Sequence, residues 1–173
     1  MSAYRSVVAR VVVLLGPPGS GKTTIGEALA RRGFRWREWE RWILERWGDR
    51  DQLLRSKEAA LPELHAEIVR WIASESTPAA METTGLSDAP LLDELEAGGE
   101  AFVVRLEVTE EEALRRVLGR ARGRHLSDDL EHNRSVWHAV QAAAASRRTD
   151  LRIDTTAVSA TTAAARIADA LPS

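Results

Sequence analysis

The residue types with the most chemical content lie near the N-terminus, where residues 11–24 read VVVLLGPPGSGKTT. Gly16 is followed after four residues by Gly21, Lys22 and Thr23, which is the spacing of a phosphate-binding loop, or P-loop. Glycines let consecutive backbone N–H groups turn inward towards an anion, and a helix that begins at the loop adds a favourable dipole. The pattern therefore predicts a nucleoside triphosphate site.

The polar residues of the loop have separate tasks in such a site. Lys22 can place a positive charge on the β- and γ-phosphates, and the Thr23 hydroxyl can bind Mg²⁺. We therefore expect ATP and Mg²⁺ as cofactors. A chance lysine in a glycine-rich turn is the alternative, but an apolar strand-like run precedes the loop and a helix-like run follows it. The predicted nucleotide-binding residues of the loop are Gly16, Gly19, Ser20, Gly21, Lys22, Thr23 and Thr24.

Three glutamates are candidates for the carboxylates that phosphoryl transfer needs. Glu38 and Glu40 follow a predicted second strand, at the edge of the sheet where ligands bind in such folds. Two residues apart in an extended segment, they can face one cleft; the alternative is a solvated helix N-terminus. Glu82 ends a predicted third strand, where it can hold the water shell of Mg²⁺ or simply precede a turn capped by threonines. The spacing leaves open which glutamate is the base and which serves the metal.

Five arginines crowd into ten residues around two glycines: Arg115, Arg116, Arg120, Arg122 and Arg124. No acidic residue occurs between residues 113 and 127, whereas a solvated helix usually alternates the two signs. Arg116 and Arg120 are four residues apart and share one helix face. We expect a lid in which Arg116 and Arg120 bind the nucleotide, while Arg120 and Arg124 stabilise the charge of the transferred phosphate. His125, within the same segment, is a weaker phosphate candidate.

Composition and charge argue against a nucleic-acid partner, disulfide bonds and a membrane span. The chain has 173 residues, a formal net charge of −2 and no cysteine, which argues against bulk nucleic acid as a partner and excludes disulfides. The first apolar run stops at residues 16–18, too early for a membrane span. We expect a cytoplasmic protein with no membrane partner.

Strand-like and helix-like patterns alternate along the chain, which is typical of a parallel sheet with helices on both faces. The predicted strands are residues 7–15, 34–37, 79–83, 101–108 and 151–154. The predicted helices are residues 22–32, 39–47, a stretch within 62–74, 87–97, one starting at 109, 129–147 and 159–171. Ser87 is an expected helix cap, and Thr109 with Glu112 makes a capping box. The pattern predicts an α/β fold with three layers (α/β/α) and a five-stranded parallel sheet.

Four of the six tryptophans lie within residues 36–47, at positions 36, 39, 42 and 47. Core packing is the usual fate of such residues. Because they lie next to Glu38 and Glu40, a pocket for a flat or apolar acceptor is the alternative. The sequence leaves both interpretations open.

Taken together, these features resemble the adenylate-kinase-like branch of P-loop NTPases, which includes nucleotide kinases, shikimate and gluconate kinases, and antibiotic phosphotransferases. The resemblance rests on GPPGSGKTT, on residues 36–40 after the second strand, on residues 116–120 leading into a basic lid, and on residues 151–156. It implies that Thr155 lies on the adenine side. The glycine triplet of shikimate kinases is absent, since residues 82–85 read ETTG, and the substrate arginines of nucleoside monophosphate kinases are not recognisable between residues 49 and 75.

The resemblance implies a kinase that uses ATP and Mg²⁺ to phosphorylate a hydroxyl group of a small molecule. It implies one domain over residues 1–173, with an acceptor region at about 36–75 and a lid at 116–130. By the same resemblance, Thr23, Glu38 and Glu82 serve the metal, and Glu40 is the base or an acceptor anchor. A nucleotide-binding regulatory or toxin-like module without a metabolic acceptor is the alternative. The sequence identifies neither the acceptor nor the oligomeric state.

Overall fold

The computed structural model describes residues 10–48, 50–74, 76–120 and 127–172. Strands and helices alternate within these residues. The strands are β1 (Val11–Leu15), β2 (Arg35–Arg37), β3 (Ala79–Thr83), β4 (Ala101–Glu107) and β5 (Leu151–Asp154). The helices are α1 (Lys22–Ala30), α2 (Trp39–Trp47), α3 (Arg50–Ala73), α4 (Ala89–Ala97), α5 (Glu110–Leu118), α6 (Leu130–Ala145) and α7 (Ala160–Ala170).

The five strands form one sheet in the order β2-β3-β1-β4-β5, and every neighbouring pair is parallel. All five residues of β1 are buried apolar side chains, because the central strand of a parallel sheet is covered on both faces. In the sheet register Leu15 lies opposite both Thr83 and Arg105. The segments that follow β1, β2 and β3 therefore emerge at one edge of the sheet. The predicted α/β fold and five-stranded parallel sheet are confirmed.

Alternate residues of β1 face two separate cores. Val13 and Leu15 pack with residues of α3 and α4, including Ile68. Val12 and Leu14 pack with residues of α1 and α7 on the opposite face. This gives the predicted three layers and anchors the start of α1 at the edge where the P-loop lies.

Several element boundaries differ from those expected, most of them by one or two residues. Helix α3 begins at Arg50 and runs through Pro62, whereas the prediction placed a helix only within residues 62–74. At the start of α4, Asp88 and not Ser87 occupies the cap position, and its side chain makes no capping bond. Strand β1 begins at Val11, and residues 7–9 of the predicted strand lie outside the described residues.

Only half of the expected capping box forms at α5. The Glu112 backbone N–H donates to the Thr109 hydroxyl at 3.3 Å, as predicted. The Glu112 carboxylate instead accepts hydrogen bonds from Arg115 and Arg116, since two guanidinium groups lie one turn away on the same helix. The competing ion pairs remove the reciprocal bond of the box.

The two tryptophans of residues 36–47 whose side chains are described, Trp36 and Trp42, serve packing. A Cβ atom at Gly26 of α1 would come within 2.2 Å of the Trp36 ring, so this ring rests directly on the helix backbone. Trp42 is 3% exposed and packs edge to face with Trp71 at a centroid distance of 5.3 Å. The side chains of Trp39 and Trp47 lie outside the description. Among the described residues, no helix has the length and apolar character needed to cross a membrane.

Candidate nucleotide and acceptor site

The P-loop connects β1 to α1 through two glycines in the left-handed region. Gly19 has φ 79° and Gly21 has φ 87°, conformations that residues with a Cβ adopt only at a cost. A Cβ at Gly19 would also lie 2.2 Å from the carbonyl oxygen of Ala113 in α5. Gly19 therefore serves both the turn of the loop and the close approach of α5.

Lys22 lies across the loop that precedes it. Its Nζ donates to the carbonyl oxygens of Gly16 at 2.8 Å and Pro17 at 2.9 Å. Burial lowers the pKa of Lys22, and the nearby carboxylates of Glu82 and Glu40 oppose that shift. The ammonium group is therefore held at the mouth of the loop, where a phosphate would replace the carbonyl partners.

A cavity of about 410 Å³ opens at this edge of the sheet. The P-loop and the start of α1 contribute Gly19, Gly21, Lys22, Thr23 and Thr24 to its lining. The predicted residues from other segments that line it are Glu38, Glu40, Glu82, Arg116 and Arg120. Gly16 and Ser20 are buried behind this surface, and the Ser20 hydroxyl has no hydrogen-bond partner among the described residues. Most of the predicted site residues thus share one cavity.

Glu82 and Thr23 are the pair best placed for a metal ion. The Thr23 hydroxyl donates to Glu82 Oε2 at 3.4 Å, and Glu82 is 5% exposed. Burial raises the pKa of Glu82 to about 7, against the opposing effect of Lys22. No group of three or more metal-ligating side chains occurs among the described residues, and Mg²⁺ bound to a triphosphate needs only one or two protein oxygens. A hydroxyl and a carboxylate beside the phosphate loop fit this requirement.

Glu38 and Glu40 line the same cavity for a reason different from the one predicted. Glu38 lies between β2 and α2, but Glu40 is already in the first turn of α2. The Trp42 N–H closes this turn by donating to the Glu38 carbonyl at 3.2 Å. The expectation of an extended segment is therefore wrong at Glu40, where a helix N-terminus, favourable to acids, brings the carboxylate to the cavity.

Arg116 joins three segments at one side of the cavity. Its Nη1 donates to the Gly19 carbonyl at 3.3 Å and to Thr155 Oγ1 at 3.1 Å, and its Nη2 donates to the Thr155 carbonyl at 2.9 Å. Its Nε donates to Glu112 at 2.7 Å. Thr155 is buried and contacts Arg116 without lining the cavity. The guanidinium thus fixes the P-loop against the segment that follows β5.

Arg120 retains donor capacity at the cavity. Its Nη2 donates to the Ser127 carbonyl at 3.3 Å and to Asn133 Oδ1 at 3.4 Å, while its Nε is buried without a hydrogen-bond partner among the described residues. Burial lowers the pKa of Arg120, with Glu40 the strongest opposing charge. Arg115 points elsewhere, with 70% of its side chain exposed. The predicted residues Arg122, Arg124 and His125 lie outside the described part of the chain.

Two acidic residues near the site were not identified from the sequence. Asp88 is 1% exposed and accepts a hydrogen bond from the Thr83 hydroxyl, which itself accepts one from the Gly85 N–H at 2.7 Å. It thereby fixes the turn that leaves β3, and burial raises its pKa. Glu27 lines the cavity from α1. Its position four residues after Thr23, on the same helix face, is the signal by which it could have been found.

Several solved structures are similar to this chain. The shikimate kinase from Acinetobacter baumannii in complex with shikimate is 20% identical, with a TM-score of 0.61 over 96% of this chain and 94% of that chain. A gluconokinase from Sinorhizobium meliloti 1021 is 21% identical, with a TM-score of 0.58 over 95% and 96%. The deoxyadenosine kinase from M. mycoides with bound dATP is 14% identical, with a TM-score of 0.63 over 92% and 97%. Identities this low establish a shared fold.

No curated protein matches the chain. Residues 12–136 match the protein family described as AAA domain. The matched stretch begins in β1, contains the P-loop and all the residues that line the cavity, and ends in α6. The chain therefore belongs to the AAA domain family of P-loop proteins and has the fold of small-molecule kinases.

Proposed function

We propose that this protein is a kinase that transfers the γ-phosphate of ATP to a hydroxyl group of a small molecule. The observation that carries the proposal is the single cavity in which the P-loop lysine and threonine meet four glutamates and two arginines. Phosphoryl transfer needs this combination, because its catalysis consists mainly of positioning and charge stabilisation. Three kinases with the same fold support the class of reaction.

The triphosphate would lie on the backbone N–H groups of residues 19–23. Lys22 would exchange its two carbonyl partners for β- and γ-phosphate oxygens. Arg120, with its buried and unpartnered Nε, would bind the transferred phosphoryl group, together with Arg124 of the lid at residues 116–130. Arg116 and Thr155 would border the adenosine. Each cation then faces a group that is anionic in the substrate or in the transition state.

Mg²⁺ would be held by the Thr23 hydroxyl and, through water, by Glu82 and Glu38. When bound, it would supply positive charge that neutralises the charge developing during transfer. The contact between Thr23 and Glu82 supports this placement, because it joins the expected ligand to the expected carboxylate before nucleotide arrives.

For transfer, the acceptor hydroxyl must lie in line with the γ-phosphorus, in the region bounded by residues 36–75. The hydroxyl oxygen forms a bond to the γ-phosphorus while the bond from this atom to the β–γ bridging oxygen breaks. ADP leaves with that oxygen, and the hydroxyl proton passes to the carboxylate of Glu40. The first turn of α2 places this carboxylate at the cavity wall.

An acceptor screen tests the proposal. ADP release is measured with and without nucleosides, sugars, sugar acids and amino sugars, and phosphorylated product is identified by mass spectrometry. A kinase gives acceptor-dependent ADP release that Lys22→Ala abolishes. Slow ATP hydrolysis that no acceptor stimulates would instead support the nucleotide-binding regulatory or toxin-like module.

A further inference from the structure

We propose that Asn133 is a positioning residue, which holds the guanidinium group of Arg120 where it can bind the γ-phosphate of the nucleotide. The inference rests on the proposed function, because it takes Arg120 as a ligand of the transferred phosphoryl group. It adds a residue outside the lining of the cavity on which that contact depends.

Asn133 is a buried amide near the start of α6. It is 3% exposed, and burying an amide is unfavourable unless its polar atoms form hydrogen bonds. Its Nδ2 donates to the carbonyl oxygens of Ser127 at 3.1 Å and Asp129 at 2.6 Å. Its Oδ1 accepts a hydrogen bond from Nη2 of Arg120 at 3.4 Å. The amide therefore joins the segment that leads into α6 to an arginine of the cavity.

Arg120, Asn133 and Ser127 form a closed triangle of hydrogen bonds. Nη2 of Arg120 donates to the Ser127 carbonyl at 3.3 Å as well as to Asn133, and the same carbonyl accepts from Asn133. Both acceptors are neutral and both bind Nη2. The Nε of Arg120 is left without a hydrogen-bond partner among the described residues. The triangle thus fixes the guanidinium by one nitrogen and leaves donor capacity for an anion.

Nearby carboxylates offer Arg120 a different arrangement. Glu40, Asp128 and Glu82 all act on the pKa of Arg120 in the direction that favours its charged form, and Glu40 and Glu82 line the same cavity. A long arginine side chain that nothing held would form charge-assisted hydrogen bonds with these carboxylates. An incoming phosphate would then have to break them. A neutral amide at Asn133 instead fixes the guanidinium without neutralising its charge.

Nucleotides with and without a γ-phosphate test the inference and need no acceptor. Binding of the non-hydrolysable analogue AMPPNP and of ADP, each with Mg²⁺, is measured by calorimetry. The ratio of the affinity for AMPPNP to the affinity for ADP reports contacts with the γ-phosphate. Arg120→Ala should lower this ratio at least tenfold, and Asn133→Ala at least threefold. In the Arg120→Ala background, Asn133→Ala should change the ratio by less than twofold, because it acts through the arginine.

A second variant separates positioning from folding. A serine in a helix can donate to the carbonyl four residues earlier, so Asn133→Ser can keep a bond to the Asp129 carbonyl. Because the bond to Arg120 is already 3.4 Å long, a side chain one atom shorter loses it. We expect Asn133→Ser to lower the Tm less than Asn133→Ala but to lower the affinity ratio equally. It also replaces Asn133→Ala in the double-mutant comparison if the alanine variant does not fold.

Gln141→Ala is the matched control on the same helix. The Oε1 of Gln141 accepts a hydrogen bond from Arg105 at 2.9 Å, so this variant also removes a bond between an amide and an arginine. Neither Gln141 nor Arg105 lines the cavity. The variant should leave the affinity ratio within twofold of that of the wild type, even where its Tm falls.

The results that contradict the inference differ from those that contradict the proposed function. An affinity ratio that Arg120→Ala or both Asn133 variants leave unchanged overturns the inference. So does an effect of Asn133→Ala that persists in full without Arg120, or one that follows the Tm across all variants. These results leave the transfer reaction standing, which fails instead if no acceptor yields a phosphorylated product. A wild-type protein that binds neither nucleotide overturns both.

Discussion

Replacing the left-handed glycines by alanine separates backbone strain from steric overlap at the P-loop. Gly33 has φ 93°, and a Cβ there meets nothing within 4 Å, so Gly33→Ala adds strain alone. That strain is about 1–2 kcal/mol. Because about 1 kcal/mol shifts the Tm of a domain of this size by roughly 2–4 °C, we expect Gly33→Ala to lower the Tm by about 2–8 °C.

Gly19→Ala adds a clash to a similar strain. Its Cβ would lie 2.2 Å from the Ala113 carbonyl oxygen and 2.9 Å from the Ala113 carbonyl carbon and Cα, and backbone atoms of a helix cannot rotate away. Overpacking of this kind costs about 1–3 kcal/mol more. We therefore expect the Tm of Gly19→Ala to fall below that of Gly33→Ala by at least about 2 °C, with loss of nucleotide binding as the loop is displaced.

The measurements are thermal unfolding by circular dichroism and titration with a non-hydrolysable ATP analogue. Gly21→Ala is a second control, because φ there is 87° but the nearest described atom to a Cβ is 3.9 Å away. Its stability should match that of Gly33→Ala. Equal Tm values for Gly19→Ala and Gly33→Ala, with nucleotide binding retained by Gly19→Ala, would refute the reasoning.

Four further predictions concern charged groups at the cavity. Lys22→Ala should abolish ATP turnover without altering the circular dichroism spectrum, because the hydrogen bonds that its Nζ makes to described residues all go to loop carbonyls; near wild-type transfer would contradict the proposed function. Arg120→Ala should reduce kcat by about 10²–10³-fold, while exposed Arg115→Ala should not; equal effects in steady-state assays would remove Arg120 from the site. Glu40→Gln should reduce transfer by about 10²–10⁴-fold with unchanged ATP affinity in titrations, and full activity would make Glu82 the better candidate for the base. Because burial raises the pKa of Glu82 from 4.5 to about 7, the folded protein keeps a proton that the unfolded chain has released. The free energy of unfolding should therefore fall by about 3 kcal/mol as pH rises from about 4.5 to about 7. Urea unfolding in EDTA should show this fall in wild type and a smaller one in Glu82→Gln, and identical pH profiles would disprove the assignment.

The central part of the fold was predictable because its signals are local. The apolar run of β1, the glycines of the P-loop and the start of α1 at Lys22 follow from neighbouring residues, and Ala79–Thr83 and Leu151–Asp154 are strands at the residues expected. The start of α3 was not predictable, since the helix runs from Arg50 through Pro62, and a proline inside a helix is locally unfavourable. Local propensity therefore favours a later start than the structure has.

The residues of the candidate site also divide into those that local sequence identifies and those that it does not. Spacing along the chain identified Lys22 and Thr23, whose roles depend on adjacent backbone. It did not identify Asp88, because the partner of this carboxyl is the Thr83 hydroxyl and local sequence suggested only a helix cap at the neighbouring Ser87. Nor did it identify the bonds of Arg116 to Gly19 and Thr155, which join segments far apart in sequence. Roles that depend on tertiary neighbours became visible only in the folded chain.

Carbonyl oxygens of the P-loop compete with phosphate for the ammonium group of Lys22. An incoming anion can use the third N–H of the ammonium group, but it must displace the hydrogen bonds at 2.8 and 2.9 Å to Gly16 and Pro17 to gain all three. An isolated phosphate ion replaces these bonds with few others, whereas a triphosphate adds contacts along the whole loop. We therefore expect the affinity of the loop for an anion to rise steeply with its number of phosphate groups. Free phosphate then leaves the loop available to nucleoside triphosphates.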